Sequence, residues 1–396
     1  MKFLRKKLKN GITVIMEKRD LPVISVSISN PFGGANETSE IKGIAHFIEH
    51  LVFTGTKTRT HEDISREIEK KGGILNAFTA NEVTSFWFKL PSEHIFAGLD
   101  ILVDMLKNPL FKPDKFEKEK KVIMEEIKMY HDNPRYFIEE KIFGNLYEKP
   151  LGEGIIGSTK TISNLSRDFV YDYFKKHYSP ENFIVTLVGN ADFEKVCEYL
   201  ETNFKAENKS LPKISPITLN KESEETRPGV DQAHFMFAMH APLPQEKSKY
   251  ALEVLDAYLA NGMSSKLFLT IREERGLAYS VKSSINSEKN YAYYTIYVGT
   301  TKEAVPEVKK LILQGFSDIE KMTEEELEES KERLIGLKKV SSEESSDVMN
   351  ALMHSEITGK AEEYYEYEDK IKTITLKDVK ALAKITNYST ASIVPE

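Results

Sequence analysis

Along the chain, stretches in which apolar residues recur at every second position exchange with stretches in which they recur every third or fourth. These are the two periods that separate a half-buried strand from an amphipathic helix. Ile12, Val14 and Met16 alternate with Thr13 and Ile15 just after Asn10-Gly11, a tight-turn pair, so 8–17 reads as a hairpin. Over 23–29, Ile24, Val26 and Ile28 alternate with Ser25, Ser27 and Ser29, which predicts a strand with one buried and one polar face. The segment 74–90, with Phe78, Val83, Phe86, Trp87 and Phe88, reads as a bent or hairpinned strand region, and 183–189 as a further β run. Helical spacing marks 60–71, 92–107, 113–132, 136–146, 166–176 and 194–204.

The second half repeats the first in outline. Strands are predicted over 234–240, 279–287 and 291–300, helices over 249–259 and 265–274, and a charge-rich helical region over 302–373. Near the end, Ile374, Thr375 and Val379 match Leu165, Ser166 and Val170 at one offset of 209, each set opening a helix followed by a short β run. An internal repeat is therefore expected. Between the halves, 206–228 holds three prolines, many charges and few large apolar residues, the composition of a linker. The organisation read from the chain is a first domain over 1–205, a linker over 206–228 and a related second domain over 229–396. Each is of α+β class, a mostly antiparallel sheet packed by helices on one side.

With 40% hydrophobic and 30% charged residues, the chain has the make-up of a globular protein with real cores. Its net charge of −7 does not favour a nucleic-acid partner. No apolar run reaches the length of a membrane span, so no membrane association is expected. The single cysteine, Cys197, excludes a disulfide framework and reads as a small core residue. The basic start, MKFLRKKLKNG, runs into the hairpin with no apolar signal region, and a cytoplasmic location is expected.

The chemistry concentrates in GIAHFIEHLVFTGT, residues 43–56. On a helix His46 and His50 stack on one face, spaced to grip one metal ion, with Ile44, Phe47, Ile48 and Leu51 forming an apolar face beside them. Glu49 falls on the polar side, within reach of a water at that ion. Two imidazoles, a further carboxylate and an open position are how catalytic zinc is held. H-x-x-E-H is the inverted form of the zinc-peptidase signature.

His46-Phe47-Ile48-Glu49-His50 resembles the pitrilysin-type, inverted-zincin metallopeptidases, a family that takes in processing peptidases of bacteria, archaea and mitochondria, including the mitochondrial β subunit. The resemblance implies a LuxS/pitrilysin-like metalloenzyme fold, one Zn²⁺ per chain and a third ligand, a glutamate downstream, for which Glu125 and Glu126 are the candidates. Helical phase chooses between them. Phe116, Ile123, Ile127 and Tyr130 share one arc, Glu126 lies at its edge and Glu125 points to the opposite side, so Glu126 is taken as the ligand. Glu119, beside that stripe, resembles the family's carboxylate that orients a ligand without binding metal.

The same resemblance makes 73–79 an edge strand to which substrate adds, with Asn76, Ala77 and Phe78 as substrate-binding candidates. It pairs Arg272 with Tyr279, facing the zinc across a closed chamber, where Tyr279 stabilises an oxyanion and Arg272 holds a carbonyl. A chain with two such domains needs a second chain to close the chamber, either as a homodimer with two sites or as a heterodimer with a related chain. The function implied is a zinc endopeptidase acting on peptides or unfolded segments, with Glu49 activating the water. The alternative is a non-catalytic or processing-partner subunit of a heterodimeric peptidase. His61, His94, His131, His177, His234, His240 and His354 match no ligand spacing and read as structural or surface residues.

Overall fold

A computed structural model describes residues 2–206 and 209–396. The described residues form eleven strands in two sheets. The first sheet is built from β1 (Lys2–Lys7), β2 (Thr13–Lys18), β3 (Val23–Asn30), β4 (Ile74–Thr79), β5 (Thr84–Pro91) and β6 (Ile184–Gly189), in the order β1-β2-β6-β3-β5-β4. The second is built from β7 (Glu222–Arg227), β8 (Ala233–His240), β9 (Ala278–Ser287), β10 (Ala292–Thr300) and β11 (Ser389–Pro395), in the order β7-β11-β8-β10-β9. Only β2–β6 and β7–β11 pair in parallel; the other neighbours run antiparallel. The α+β class therefore holds, and from β2 and β7 onward the two sheets follow one strand order, as the internal repeat requires.

The offset of 209 carries β2 onto β7. The linker reading is thus corrected at its end: Glu222–Arg227 is a strand, while positions 207 and 208 of that segment lie outside the described residues. β7 escapes a hydrophobicity pattern because it is an edge strand of charged residues, ESEETR, half exposed along its length.

The chain divides into two compact units that do not follow a single cut. The first comprises Met1–Ile127, Gly154–Ile214 and Ser341–Tyr364; the second comprises Lys128–Glu153, Ser215–Val340 and Tyr365–Glu396. Each half of the sequence thus lends a helix to the unit of the other. In the first unit, one sheet face packs on the helices Ile44–Val52, Ile95–Lys107 and Arg167–His177 around Val26, Phe47, Phe88 and Leu102. The opposite face is covered by Ser345–Thr358, whose Val348, Met349 and Leu352 meet Ile15, Ile184 and Val188. The polar face predicted for β3 is consequently buried. Ser25 meets the Ser345 hydroxyl at 2.9 Å, and Ser29 donates to Met353 Sδ at 2.8 Å.

In the second unit, β8, β10 and β9 pack through Phe237, Tyr294 and Ile296 on Ser248–Leu259 and Val305–Asp318. The other face receives Pro134–Leu146, where Asn145 donates to the Thr390 carbonyl at 2.9 Å and Phe143 lies 5.4 Å from the Tyr293 ring. Helices on both faces of each sheet replace the one-sided packing expected. Cys197 is buried, and among the described residues no helix is long and apolar enough to cross a membrane.

Candidate metal centre

The helix Ile44–Val52 begins at Gly43, whose φ of 96° an L side chain rarely adopts; a Cβ there would lie 2.6 Å from the Ile156 carbonyl oxygen. The glycine-rich loop 152–158, GEGIIGS, therefore presses its backbone against the start of this helix. The first amides of a helix lack intrahelical partners. Here Gly43 N and Ala45 N donate to the two oxygens of Glu37 at 3.0 and 2.7 Å. Glu37 is buried, with Lys42 Nζ at 3.9 Å, and burial pushes its carboxyl up to about 7 against the pull of Lys42 and those amides. Ile44, Phe47, Ile48 and Leu51 anchor the other face of the helix in the core.

His46 and His50 lie one turn apart, ring centroids 4.6 Å from one another. Glu126 comes from the helix Pro113–Asp132, which is held to the first helix by Phe116 against Phe47, centroids 4.8 Å apart. Glu126 Oε2 lies 3.7 Å from Nε2 of both His46 and His50, and the three residues offer ligand atoms within 4.8 Å of one another. Glu125 is exposed on the far side of its helix. Glu119 Oε2 lies 3.4 Å from His50 Nδ1, on the side of the ring away from Glu126.

Burial, with a smaller contribution from His50, takes His46 down to about 3, so its imidazole is neutral at pH 7. Burial works against a proton on His50, but the Glu119 hydrogen bond and the charges of Glu49, Glu126 and Glu119 outweigh it and raise its pKa. Burial raises Glu126, opposed by His50. It also raises Glu49, opposed by the Thr79 hydroxyl, which donates to Glu49 Oε2 at 2.5 Å, and by His50.

These residues fit a zinc ion. Tetrahedral ligands about 2.0–2.1 Å from zinc stand roughly 3.4 Å from each other. The two 3.7 Å separations are close to that. A neutral imidazole, a second imidazole with its far nitrogen held by Glu119, and a carboxylate are the donors such an ion takes.

The substrate candidates lie on β4, which among the described residues pairs with β5 alone and so leaves an edge open. Ala77 packs into the helix-covered core and Phe78 against the opposite cluster, so strand alternation places Ala77 and Thr79 on the Glu49 side and Asn76 and Phe78 on the other. Thr79 was not singled out from the sequence; nothing local marks it, since its role comes from β4 lying beside the His46 helix. Glu37 was likewise missed, although a carboxylate ahead of a helix start is a recognisable signal.

Arg272 and Tyr279 belong to the second unit. Arg272 sits in a π-helical turn, Phe268–Glu274, its guanidinium 4.9 Å over the Phe268 ring and 3.6 Å from Glu273. Tyr279 stands near the start of β9, 47% exposed, with its hydroxyl 3.1 Å from that of Tyr297.

Residues 13–159, which include the whole metal cluster, match the family described as Insulinase (Peptidase family M16), and residues 164–334 match the Peptidase M16 inactive domain. The chain is 30% identical to the uncharacterized zinc protease YmxG of Bacillus subtilis over 98% of its own length and 97% of that protein. It is 28% identical to the uncharacterized zinc protease SCO5738 of Streptomyces coelicolor, over 96% of this chain and 86% of that one. The fold matches the crystal structure of a protease from Helicobacter pylori with a TM-score of 0.93 at 22% identity, covering 100% and 99% of the two chains. A peptidase M16 inactive domain structure from Pseudomonas fluorescens matches with a TM-score of 0.91 at 17% identity, covering 100% and 98%. The chain belongs to peptidase family M16, the pitrilysin-type family, and its relatives carry the name of zinc proteases.

Proposed function

We propose that this chain is a zinc-dependent endopeptidase that cuts peptides or unfolded segments bound in extended form along β4. The observation that carries the reading is Glu49, half-buried on the same helix as His46 and His50 and held by Thr79 beside the Glu126 cluster. His46, His50 and Glu126 would hold a zinc ion, which would supply a Lewis acid and lower the pKa of water to about 7. Glu49 is the group that takes a proton at its carboxylate and returns it to the leaving amine. Glu119 keeps Nδ1 of His50 occupied, so that Nε2 points to the side of Glu126.

The edge of β4 supplies the binding surface. Ala80 N donates to Val83 O, and the antiparallel alternation from that pair turns the backbone groups of Leu75, Ala77 and Thr79 to the open side. Such groups bind any extended chain. Asn76 Oδ1 accepts from Ala77 N at 2.8 Å, a contact that an incoming peptide displaces. Arg272 and Tyr279 are assigned to the substrate carbonyl and its developing negative charge, in a chamber completed by a second copy of this chain or by a related partner. The alternative, a non-catalytic or processing-partner subunit, is supported by the match of 164–334 to an inactive domain; the complete residue set within 13–159 favours the peptidase.

The test is cleavage of a quenched fluorescent peptide library by the purified full chain, with zinc content measured in parallel. Chelator-sensitive cleavage with about one zinc per chain is expected, and Glu49→Gln should keep the zinc and lose the cleavage. Full activity in Glu49→Gln would sink the mechanism.

A further inference from the structure

Tyr279 occupies an unusual place in its sheet. Along β9 and β10, Ser280 pairs with Gly299 and Ala278 with Thr300, so Tyr279 is an extra residue in a β-bulge. Bulges re-aim side chains and recur beside active sites. The re-aimed ring lies against Gly299: a Cβ built there would sit 2.3 Å from the Tyr279 ring and 2.5 Å from its hydroxyl oxygen. Gly299 is the one residue type that leaves room for this, and it pairs on its other side with His234 of β8.

Two neighbours then meet the hydroxyl in series. The Tyr297 hydroxyl, two residues from Gly299 on the same face of β10, lies 3.1 Å from that of Tyr279. His234 Nδ1 lies 2.9 Å from the Tyr297 hydroxyl. The Arg135 guanidinium stands 5.2 Å over the Tyr297 ring. A cation on that face draws electron density from the ring and strengthens the phenol as a donor. Burial and the charges of Arg135 and Arg227 hold His234 below its ordinary range, so it is neutral at pH 7, with one ring N–H to place.

We infer that Tyr297 and His234 are positioning residues for Tyr279. His234 donates from Nδ1 to Tyr297, Tyr297 donates to Tyr279, and the Tyr279 proton is left pointing outward, to a substrate oxygen. A tyrosine hydroxyl offers one proton and two acceptor sites. With an acceptor site filled from Tyr297, its one proton is free for the substrate and its orientation is set before substrate arrives, the condition under which a donor acts on developing charge without reorganisation. The inference rests on the role of Tyr279 in the proposed peptidase, and it gives His234, read from the sequence as structural or surface, a function.

The experiment is a set of variants of the full chain, Tyr297→Phe, His234→Gln, His234→Asn and Gly299→Ala, alone and combined with Tyr279→Phe, assayed on the quenched fluorescent peptide library. Tyr279→Phe should lower kcat about a hundredfold. Tyr297→Phe and His234→Gln should each lower kcat about tenfold with KM and melting temperature unchanged, and His234→Asn, which keeps a donor near the Nδ1 position, should recover most of that loss. In the Tyr279→Phe background, Tyr297→Phe should change nothing further, which a merely structural residue would not do. Gly299→Ala, with every hydroxyl kept, should match Tyr279→Phe. Nitrogen NMR of the labelled histidines should place the His234 proton on Nδ1 in the parent chain. Unchanged kcat in Tyr279→Phe refutes the role assigned to Tyr279. Impairment there with Tyr297→Phe unaffected, or with losses that simply add, overturns the inference and leaves that role standing. A proton on His234 Nε2 overturns the inference whatever the kinetics.

Discussion

Thr79 Oγ1 donates to Glu49 Oε2 at 2.5 Å, tying the edge strand β4 to the acid of the His46 helix. Burial raises Glu49 and this hydrogen bond lowers it. Removing the donor in Thr79→Val leaves burial less opposed, so the carboxyl binds its proton more tightly. A general base must be unprotonated to act, so the acidic limb of kcat/KM is expected to move up by about one pH unit, the equivalent of one hydrogen bond to a charged group. A pH–rate profile of the full chain checks this. A limb that stays in place, or moves to lower pH, removes Thr79 from the account.

Glu37 gives a pH dependence of stability that is separate from catalysis. Its carboxyl is raised to about 7 in the folded chain, above the 4.5 of an unperturbed glutamate. Both states are protonated below pH 4.5. As pH rises, the unfolded chain loses this proton first, and stability falls until the folded carboxyl also ionises near pH 7. The loss amounts to about 3 kcal/mol. Glu37→Gln lacks this titration. Chemical denaturation at pH 4 and pH 8 should therefore show the variant gaining on the parent by about that amount; parallel curves would remove the linkage.

Zinc binding separates neighbouring carboxylates. Glu126→Ala should lose stoichiometric zinc, while Glu125→Ala, on the exposed side of the helix, should keep it. Glu119→Gln should weaken zinc about 10- to 100-fold, as expected for a group that orients a ligand. Competition with a chromogenic chelator measures all three. Equal loss in Glu125→Ala and Glu126→Ala would mean that the ligand set is misassigned.

Ser25 probes the covered face of β3. It is fully buried and hydrogen-bonded to Ser345. Ser25→Asp puts a carboxylate where no water reaches, and should cost roughly 3 kcal/mol or more. On a solvent-facing strand the same change costs about 0.5 kcal/mol or less. Urea denaturation distinguishes the two.

Some of this was legible in the residues alone because it depends on local periodicity. His46, Glu49 and His50 share a turn-by-turn register that any helix enforces, and the phase of Phe116 and Ile123 was enough to prefer Glu126 over Glu125. The α+β class, most element limits and the repeat rest on the same short-range rules. A hairpin turn at Asn10-Gly11 needs no distant partner.

What only the tertiary structure decided lies wherever a side chain's surroundings come from far along the chain. The alternating serines of β3 carry the pattern of a wet face, yet a helix more than 300 residues away covers them. β7 carries the composition of a linker, yet β11, the strand it pairs with, lies far along the chain at Ser389–Pro395. Thr79 reaches Glu49 only because a hairpin edge lies against a helix, and His234, Tyr297 and Tyr279 meet only because β8, β10 and β9 are neighbours over a glycine. Sequence periodicity reports which face of an element is apolar. It does not report what that face, or the polar one opposite, will be packed against, because that is set by contacts whose partners the local pattern does not contain.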